Sequence, residues 1–235
     1  MGPWGRRVTG GDRVVTTVLV VAAHPDDELL GAGGTLARHV HCGDEVHAVV
    51  VADGATSRYG EGMADVLAKS AQRAADVLGL ASVDLLSLPD QKLDTVSVLE
   101  VTRAVEAVVA RVRPAVVYTH FPGDVNVDHG QVARAAWTAC RPYVLPRLRR
   151  FAVFETPSST EWAWPLEGST FAPTLFVDIT STVDDKLDAM ACYESELRDY
   201  PHPRSLRALR ERAACWGSRV GRPAAEAFQV LREVT

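Results

Sequence analysis

The stretch VLVVAAHPDDELLGAGGTLARH, residues 18–39, decides the fold. From Val18 to Ala23 no polar side chain interrupts the run, which stops on His24, Pro25 and the acidic Asp26, Asp27 and Glu28. It closes an apolar segment expected as a strand from Val14 to Ala23, and its β-branched content predicts burial on both faces. Gly31, Gly33 and Gly34 follow at once inside a helical pattern expected from Leu29 to His41. Glycines there let a helix approach a sheet closely. Strand, acidic turn and glycine-rich helix in succession begin a parallel α/β sheet, in which ligands lie beyond the carboxyl ends of strands. The acidic cluster stands at such an end.

The alternation continues down the chain. Short β-branched runs at Glu45 to Ala52, Ser82 to Leu88 and Ala115 to His120 predict strands, separated by helical segments at Met63 to Gly79 and Val96 to Arg113. The helices end on the breakers CGD, LGL and RP. A further helix is expected from Gly130 to Cys140. FAVFE (151–155) and LFVDI (175–179) read as later strands, VDDKLDAMACYESELRDY (183–200) as an amphipathic helix and residues 201–221 as a final helix. Right-handed βαβ crossovers then give a mostly parallel sheet covered by helices. Residues 155–173, ETPSSTEWAWPLEGSTFAP, are turn-rich and predict a loop. Residues 1–12 are expected as a disordered leader, and 13–235 as a single domain.

The chain has 235 residues, 47% hydrophobic and 23% charged, with a net charge of −5. That balance gives no basic footprint for nucleic acid or an anionic membrane. No apolar run approaches the roughly 18 to 20 residues that span a bilayer. No signal-peptide core follows MGPWGRR, so a cytoplasmic protein is expected. Cys42, Cys140, Cys192 and Cys215 form no C-x-x-C pair and predict free thiols in a reducing compartment.

His24 and Asp27, three residues apart at a strand-to-helix turn, can face one side and offer an imidazole and a carboxylate to a zinc-like ion. Asp26 would then lie beside an open coordination position. A third ligand should come from another strand end. Residues 118–131, YTHFPGDVNVDHGQ, carry His120, Asp124, Asn126, Asp128 and His129. Either His120 or His129 reaches on spacing, and His129, beside an acid and just before a helix, is the better candidate. Acids at a helix start also arise simply because they complement the helix dipole. Two His/Asp-rich loops at one sheet edge weigh against that plainer reading. A dinucleotide turn competes, since GAGG precedes Asp53 by about twenty residues. However, Leu36 occupies the third glycine position, and three carboxylates would repel a pyrophosphate.

With both loops in view the chain resembles the LmbE/PIG-L family of metal-dependent N-deacetylases. The matching segments are AHPDDE (23–28) with GAGGTLA after it, RAADVLG (73–79), HFPGDVNVDHGQV (120–132) and VDITSTVDDKLDAMACYESE (177–196). The resemblance implies a Rossmann-like three-layer α/β/α sandwich and removal of acetyl groups from N-acetylglucosamine-type amines. It implies His24, Asp27 and His129 as metal ligands, Asp26 as general base and Asp128 as a residue orienting its neighbours. One departure stands out. Many members carry a histidine, thought to stabilise charge, where this chain has Asn126, which leaves His120 or another group to supply that charge. Zinc is the expected ion because amide hydrolysis needs no redox chemistry, with Fe(II) or another divalent ion also compatible with two imidazoles and a carboxylate.

The expected mechanism follows. The metal polarises the acetamide carbonyl and activates water, Asp26 shuttles the proton, and Asn126 or a backbone N–H supports the oxyanion. Arg58 is a candidate for a phosphate or a sugar hydroxyl and Asp90 for a sugar hydroxyl, and Trp162 and Trp164 are candidates for stacking on a sugar face or, equally, for anchoring their loop to the core. Arg73 reads as a structural salt bridge, Tyr193 and Met190 as core, and His202 as a turn residue. The expected activity is hydrolysis of the acetamide of an N-acetylglucosamine-containing small molecule or glycoconjugate. The alternatives are an amidase acting on another amide, such as a thiol conjugate, and a non-catalytic sugar- or nucleotide-binding module. Sequence leaves the oligomeric state open.

Overall fold

A computed structural model of the protein describes residues 15–60, 62–164 and 170–235. The expected leader lies outside the described residues. The chain runs β1 (Thr17–Ala22), α1 (Asp27–His41), β2 (Glu45–Ala52), α2 (Met63–Leu78), β3 (Ser82–Leu88), α3 (Val98–Val112), β4 (Val116–His120) and α4 (Val127–Ala139). It continues through β5 (Arg150–Phe154), a 3-10 turn (Thr160–Trp162), β6 (Leu175–Asp178), α5 (Val183–Ala191), α6 (Leu206–Ser218) and β7 (Ala225–Glu233). One seven-stranded sheet results, ordered β3-β2-β1-β4-β5-β7-β6. Strands β1 to β5 pair in parallel, whereas β7 lies antiparallel between β5 and β6.

The strand pleat distributes the core to two faces. Val18 and Val20 of β1 pack with Leu29, Leu36, Leu67, Leu187 and Leu209 under α1, α2, α5 and α6. Leu19 and Val21 turn to the other face with Val101, Val105, Val132 and Ala136 under α3 and α4. This is the expected three-layer sandwich. The strand order reverses between β1 and β4, which places a crevice at their adjoining carboxyl ends.

Close approach sets the glycine pattern of α1. A Cβ on Gly31 would lie 2.0 Å from the Phe154 ring of β5, and one on Gly34 would lie 2.7 Å from Ile179. Near the same face, Glu226 of β7 accepts the N–H groups of Gly34 and Thr35 at 3.0 and 2.7 Å, and Lys186 pairs with Glu226 at 2.6 Å. Lys186 also donates to Leu30 O at 3.0 Å. A buried ion pair thus supplies partners to the backbone of α1 where the helix meets the C-terminal strands.

Several expected boundaries move. Helix α1 starts at Asp27 and α4 at Val127, so the acidic cluster and His129 both fall in first helical turns. Helix α5 ends at Ala191 rather than Tyr200, because residues 193–196 turn inward to bury Tyr193 and Glu196. Strand β7 has no counterpart among the elements expected from the sequence. The loop reading of 155–173 meets a short 3-10 turn at Thr160–Trp162, and residues 165–169 of it lie outside the described residues. Among the described residues no helix is long and apolar enough to cross a membrane. All four cysteines are free thiols.

Candidate active site

The crevice between β1 and β4 is filled by the two loops singled out in the sequence. Asp27 Oδ2 is the hub. It lies 3.1 Å from His24 Nδ1, 3.2 Å from His129 Nε2 and 3.6 Å from His120 Nε2. It also accepts the His24 backbone N–H at 2.9 Å. All of these groups are buried. Burial alone would raise the Asp27 carboxyl, but His129 beside it, with hydrogen bonds from His129 and His24, holds it well below the usual range.

Each imidazole is oriented by a different partner. His24 Nε2 faces Asp128 Oδ2 at 3.1 Å and Asp90 Oδ1 at 3.4 Å, which leaves Nδ1 toward Asp27. Asp128 is itself fixed by the Leu93 N–H at 3.0 Å. His129 Nδ1 lies 3.2 Å from Asp124 Oδ2, which leaves Nε2 toward Asp27. Burial opposes charge on His129, yet Asp27 and Asp124 push its pKa up to about 10. His24 is likewise raised against burial by its hydrogen bonds to Asp128 and Asp27.

His120 is of another kind. The Ala23 N–H donates to its Nε2 at 2.8 Å, so Nδ1 carries the proton and donates to Thr156 Oγ1 at 2.9 Å. Burial, helped by the neighbouring His129, lowers its pKa to about 3. Its ring stacks on His129 at 4.0 Å between centroids. With both nitrogens engaged, His120 supports the wall of the site as a neutral ring. It does not supply the charge that the Asn126 position lacks.

One ligand atom each from His24, Asp27 and His129 lie within 4.8 Å of one another. Asp27 Oδ1 is buried without a hydrogen-bond partner among the described residues. A carboxylate with one orphaned oxygen, whose other oxygen faces two oriented imidazoles, is what a divalent cation would satisfy, so the donor set fits a metal. His24, Asp90 and Asp128 form a second grouping of the same compactness. There both Asp128 oxygens are already engaged, by Leu93 and His24, and only one imidazole contributes. The first grouping is therefore the better holder.

Asp26 caps α1 in a left-handed conformation, φ 100° and ψ −27°. Its N–H donates to Glu28 Oε2 at 3.2 Å, and its Oδ2 accepts from Arg204 Nη1 at 3.2 Å. Only 1% of Asp26 is exposed. Burial pushes its carboxyl well above the usual range, Arg204 opposes that rise, and the carboxylates of Asp27, Glu196 and Glu28 add to it. A cation held by Asp27 would act with Arg204 against the burial. Burial raises Glu28 to about 7 against the hydrogen bond from Tyr193, whose hydroxyl donates to Glu28 Oε1 at 2.7 Å.

The remaining expected residues divide. Asn126 is the N-cap of α4, its Oδ1 accepting the Asp128 N–H at 2.9 Å, so its amide NH₂ is the part left for a substrate. Asp90 is fully buried between His24 and Arg58, whose Nε lies 3.4 Å from Asp90 Oδ2. Its Oδ1 faces His24 and, like Asp27 Oδ1, is buried without a hydrogen-bond partner among the described residues. Arg58 is half-buried at the same edge and donates to Gly54 O at 3.1 Å. Trp162 and Trp164 are 56% and 75% exposed, and the Trp162 ring meets that of His202 edge-on at 6.3 Å. Arg73 donates to Ser70 and to Cys192 O rather than to a carboxylate, still a structural role. Met190 is core, whereas Tyr193, read as core, also holds Glu28. His202 accepts the Arg204 N–H within its turn. Asp53 caps the turn after β2 through the N–H groups of Ala55 and Thr56, a local use that needs no ribose.

Sequence reasoning gave no role to Asp124, Glu196 or Arg204. Asp124 accepts from Ser159 and Thr160 as well as facing His129, tying the 155–173 loop to the candidate third ligand. Its signal was its place in the same His/Asp-rich loop. Arg204 and Glu196 had none, because their partners are distant in sequence.

Fold and site define a Rossmann-like α/β protein with a metal-capable His–Asp–His cluster at its switch point. The family profile for PIG-L, the GlcNAc-PI de-N-acetylases, matches residues 19–140, and the chain belongs to that family. It is similar to the diacetylchitobiose deacetylase of Thermococcus kodakarensis, 27% identical over 192 residues that cover 77% of this chain and 70% of that one. The conserved protein TT1542 from Thermus thermophilus superposes with a TM-score of 0.77 at 27% identity, covering 94% of this chain and 97% of that one. GalB, the 4-carboxy-2-hydroxymuconate hydratase of Pseudomonas putida KT2440, superposes at 0.74 with 24% identity, covering 94% and 98%. That last likeness is one of fold alone, and shows that the scaffold does not by itself dictate the reaction.

Proposed function

We propose that this protein hydrolyses the acetamide of an N-acetylglucosamine-containing small molecule or glycoconjugate, with zinc held by His24, Asp27 and His129. The observation that carries the reading is the buried Asp26 carboxylate adjoining that cluster, in a chain of a de-N-acetylase family. A sugar- or nucleotide-binding module has no use for a proton acceptor there. A zinc ion so held supplies Lewis acidity for amide hydrolysis.

The chain's own residues do the rest. Asp26 accepts the proton of the attacking water and returns it to the departing amine nitrogen. Asp128 and Asp124 hold the His24 and His129 rings in the tautomers that leave Nδ1 and Nε2 as donors. The Asn126 amide NH₂ donates a hydrogen bond to the acyl oxygen as negative charge gathers there. Arg58 and the exposed Trp162 and Trp164 are the contacts for the sugar and its attached group, the indoles offering flat faces to apolar ring faces.

Primary-amine release tests the proposal, using zinc-loaded protein and free, nucleotide-linked, inositol-linked and lipid- or aglycone-linked N-acetylglucosamine. Release from one class, lost in Asp26→Asn, supports the reaction and names the substrate group. Silence across the panel, in protein shown to hold its metal, would move the assignment to another amide or to binding without turnover.

A further inference from the structure

Arg204 lies outside every motif read from the sequence and outside residues 19–140 that match the family profile. It stands in the turn before α6 and reaches back 178 positions to Asp26. Its guanidinium is held from several sides. Nη1 donates to Asp26 Oδ2 at 3.2 Å and to Glu196 Oε2 at 2.9 Å, while Nε donates to Ser158 Oγ at 2.8 Å. Glu196 is 1% exposed, and its other oxygen accepts from the Tyr59 hydroxyl at 2.8 Å. Ser158 belongs to the loop that follows β5, and Glu196 to the inward turn after α5. Three segments of the C-terminal half thus converge to aim one cation at a residue of the first loop.

Asp26 is constrained from the opposite side as well. Its left-handed φ is uncommon for a residue with a side chain and persists only where the surroundings over-determine it. Glu28, itself anchored by Tyr193, takes its N–H. Arg204 takes Oδ2, which leaves Oδ1 as the oxygen for a proton. A bare structural ion pair would not need Arg204 to be braced by Glu196 and Ser158 or to meet a carboxylate beside a metal-capable cluster.

We propose that Arg204, braced by Glu196 and Ser158, is the positioning residue for Asp26: it engages Oδ2 and so fixes Oδ1 as the oxygen that receives the proton. The kinetic part of this inference rests on the deacetylase reading, whereas the coupling of Arg204 to Asp26 does not. The structure thereby gives this chain a fixed cation in a site whose Asn126 position carries no charge.

The test uses zinc-loaded full-length protein carrying Arg204→Met or Arg204→Lys, each alone and combined with Asp26→Asn, with metal content and thermal melting measured on all. Arg204→Met is expected to keep its zinc and to lose kcat on the order of 10²-fold, as for a misplaced catalytic group, with KM little changed. Methylguanidinium added to Arg204→Met should return part of the lost kcat, and Arg204→Lys should fall between wild type and Arg204→Met. The drop in melting temperature caused by Arg204→Met should shrink by at least about half in the Asp26→Asn background, because coupled side chains give non-additive losses. Additive melting losses would overturn the proposal whatever the kinetics. Coupled losses with kcat of Arg204→Met within about twofold of wild type would overturn it too, since the pair would then be structural only. Coupled losses in a protein that releases no amine from any acetamide would leave the clamp on Asp26 standing and remove the deacetylase reading instead.

Discussion

At the scale of single residues, the proposed mechanism divides holding a cation from moving a proton. The Asp26 side chain pairs with Arg204, whereas Asp124 and Asp128 each face an imidazole. Asp26→Asn should therefore leave zinc content unchanged and lower kcat on the order of 10²- to 10⁴-fold, the range for losing a general base. Metal analysis beside the amine-release assay checks both halves, and near-normal turnover would remove Asp26 from the role. Asp128→Asn and Asp124→Asn should do the reverse. Each loosens one ring, and each is expected to weaken zinc affinity about 10- to 100-fold, read by competition with a chromophoric chelator. Unchanged affinity in both would mean that the rings are oriented by packing alone. The family resemblance implied Asp128 as a residue orienting its neighbours, and the ring it faces is His24 rather than the adjacent His129. Adjacency in the chain does not give that partner, since the first turn of α4 points successive side chains in different directions.

At the scale of elements, the strand ends and helix starts around the site follow from local sequence, and the later elements do not. The run before His24 ends as a strand because the acidic residues supply acceptors for the backbone N–H groups of the turn, those of His24 and Asp26. Helix α5 stops early because Tyr193 and Glu196 are drawn in to Glu28 and Arg204, a long-range demand that overrides its amphipathic period. Strand β7 was unreadable for the opposite reason. Its buried half is Ala225, Glu226, Ala227 and Phe228, small or charged residues whose burial depends on α1, Lys186 and the neighbouring strands. The glycines of α1, by contrast, are close-approach positions, as local sequence implies. Gly31→Ala would set a Cβ 2.0 Å from Phe154 Cδ2, with ring on one side and helix backbone on the other. The expected cost is about 1–3 kcal/mol in urea unfolding, the range for overpacking a filled core. Adding Phe154→Leu should recover part of that loss. An unchanged unfolding midpoint in Gly31→Ala would show that α1 can slide away from β5.

At the scale of the whole molecule, the two candidate ligand loops belong to different βαβ units that lie side by side through the β1–β4 pairing. An ion held by His24, Asp27 and His129 would bridge the turn after β1 to the first turn of α4, and nothing comparable exists in the unfolded chain. Binding to the folded state alone raises stability by mass action, about 2.7 kcal/mol when free ion exceeds its dissociation constant a hundredfold. Chelation should therefore lower the melting temperature of the wild type, and added zinc should restore it. The shift has a predictable pH dependence. Asp27 and Asp124 push the pKa of His129 up to about 10 in the ion-free site, so that ring holds a proton which the cation must displace. Zinc-dependent stabilisation should shrink as pH falls and grow as it rises, with proton release on binding measurable by calorimetry in buffers of different ionisation enthalpy. His129→Ala removes one donor and should abolish most of the shift, whereas His120→Ala, which loses a ring already bonded through both nitrogens, should lower the baseline melting temperature yet keep the response to zinc. A His129→Ala protein that still gains as much from zinc as the wild type would move the third ligand elsewhere, and the grouping of His24 with Asp90 and Asp128 would then be the place to look.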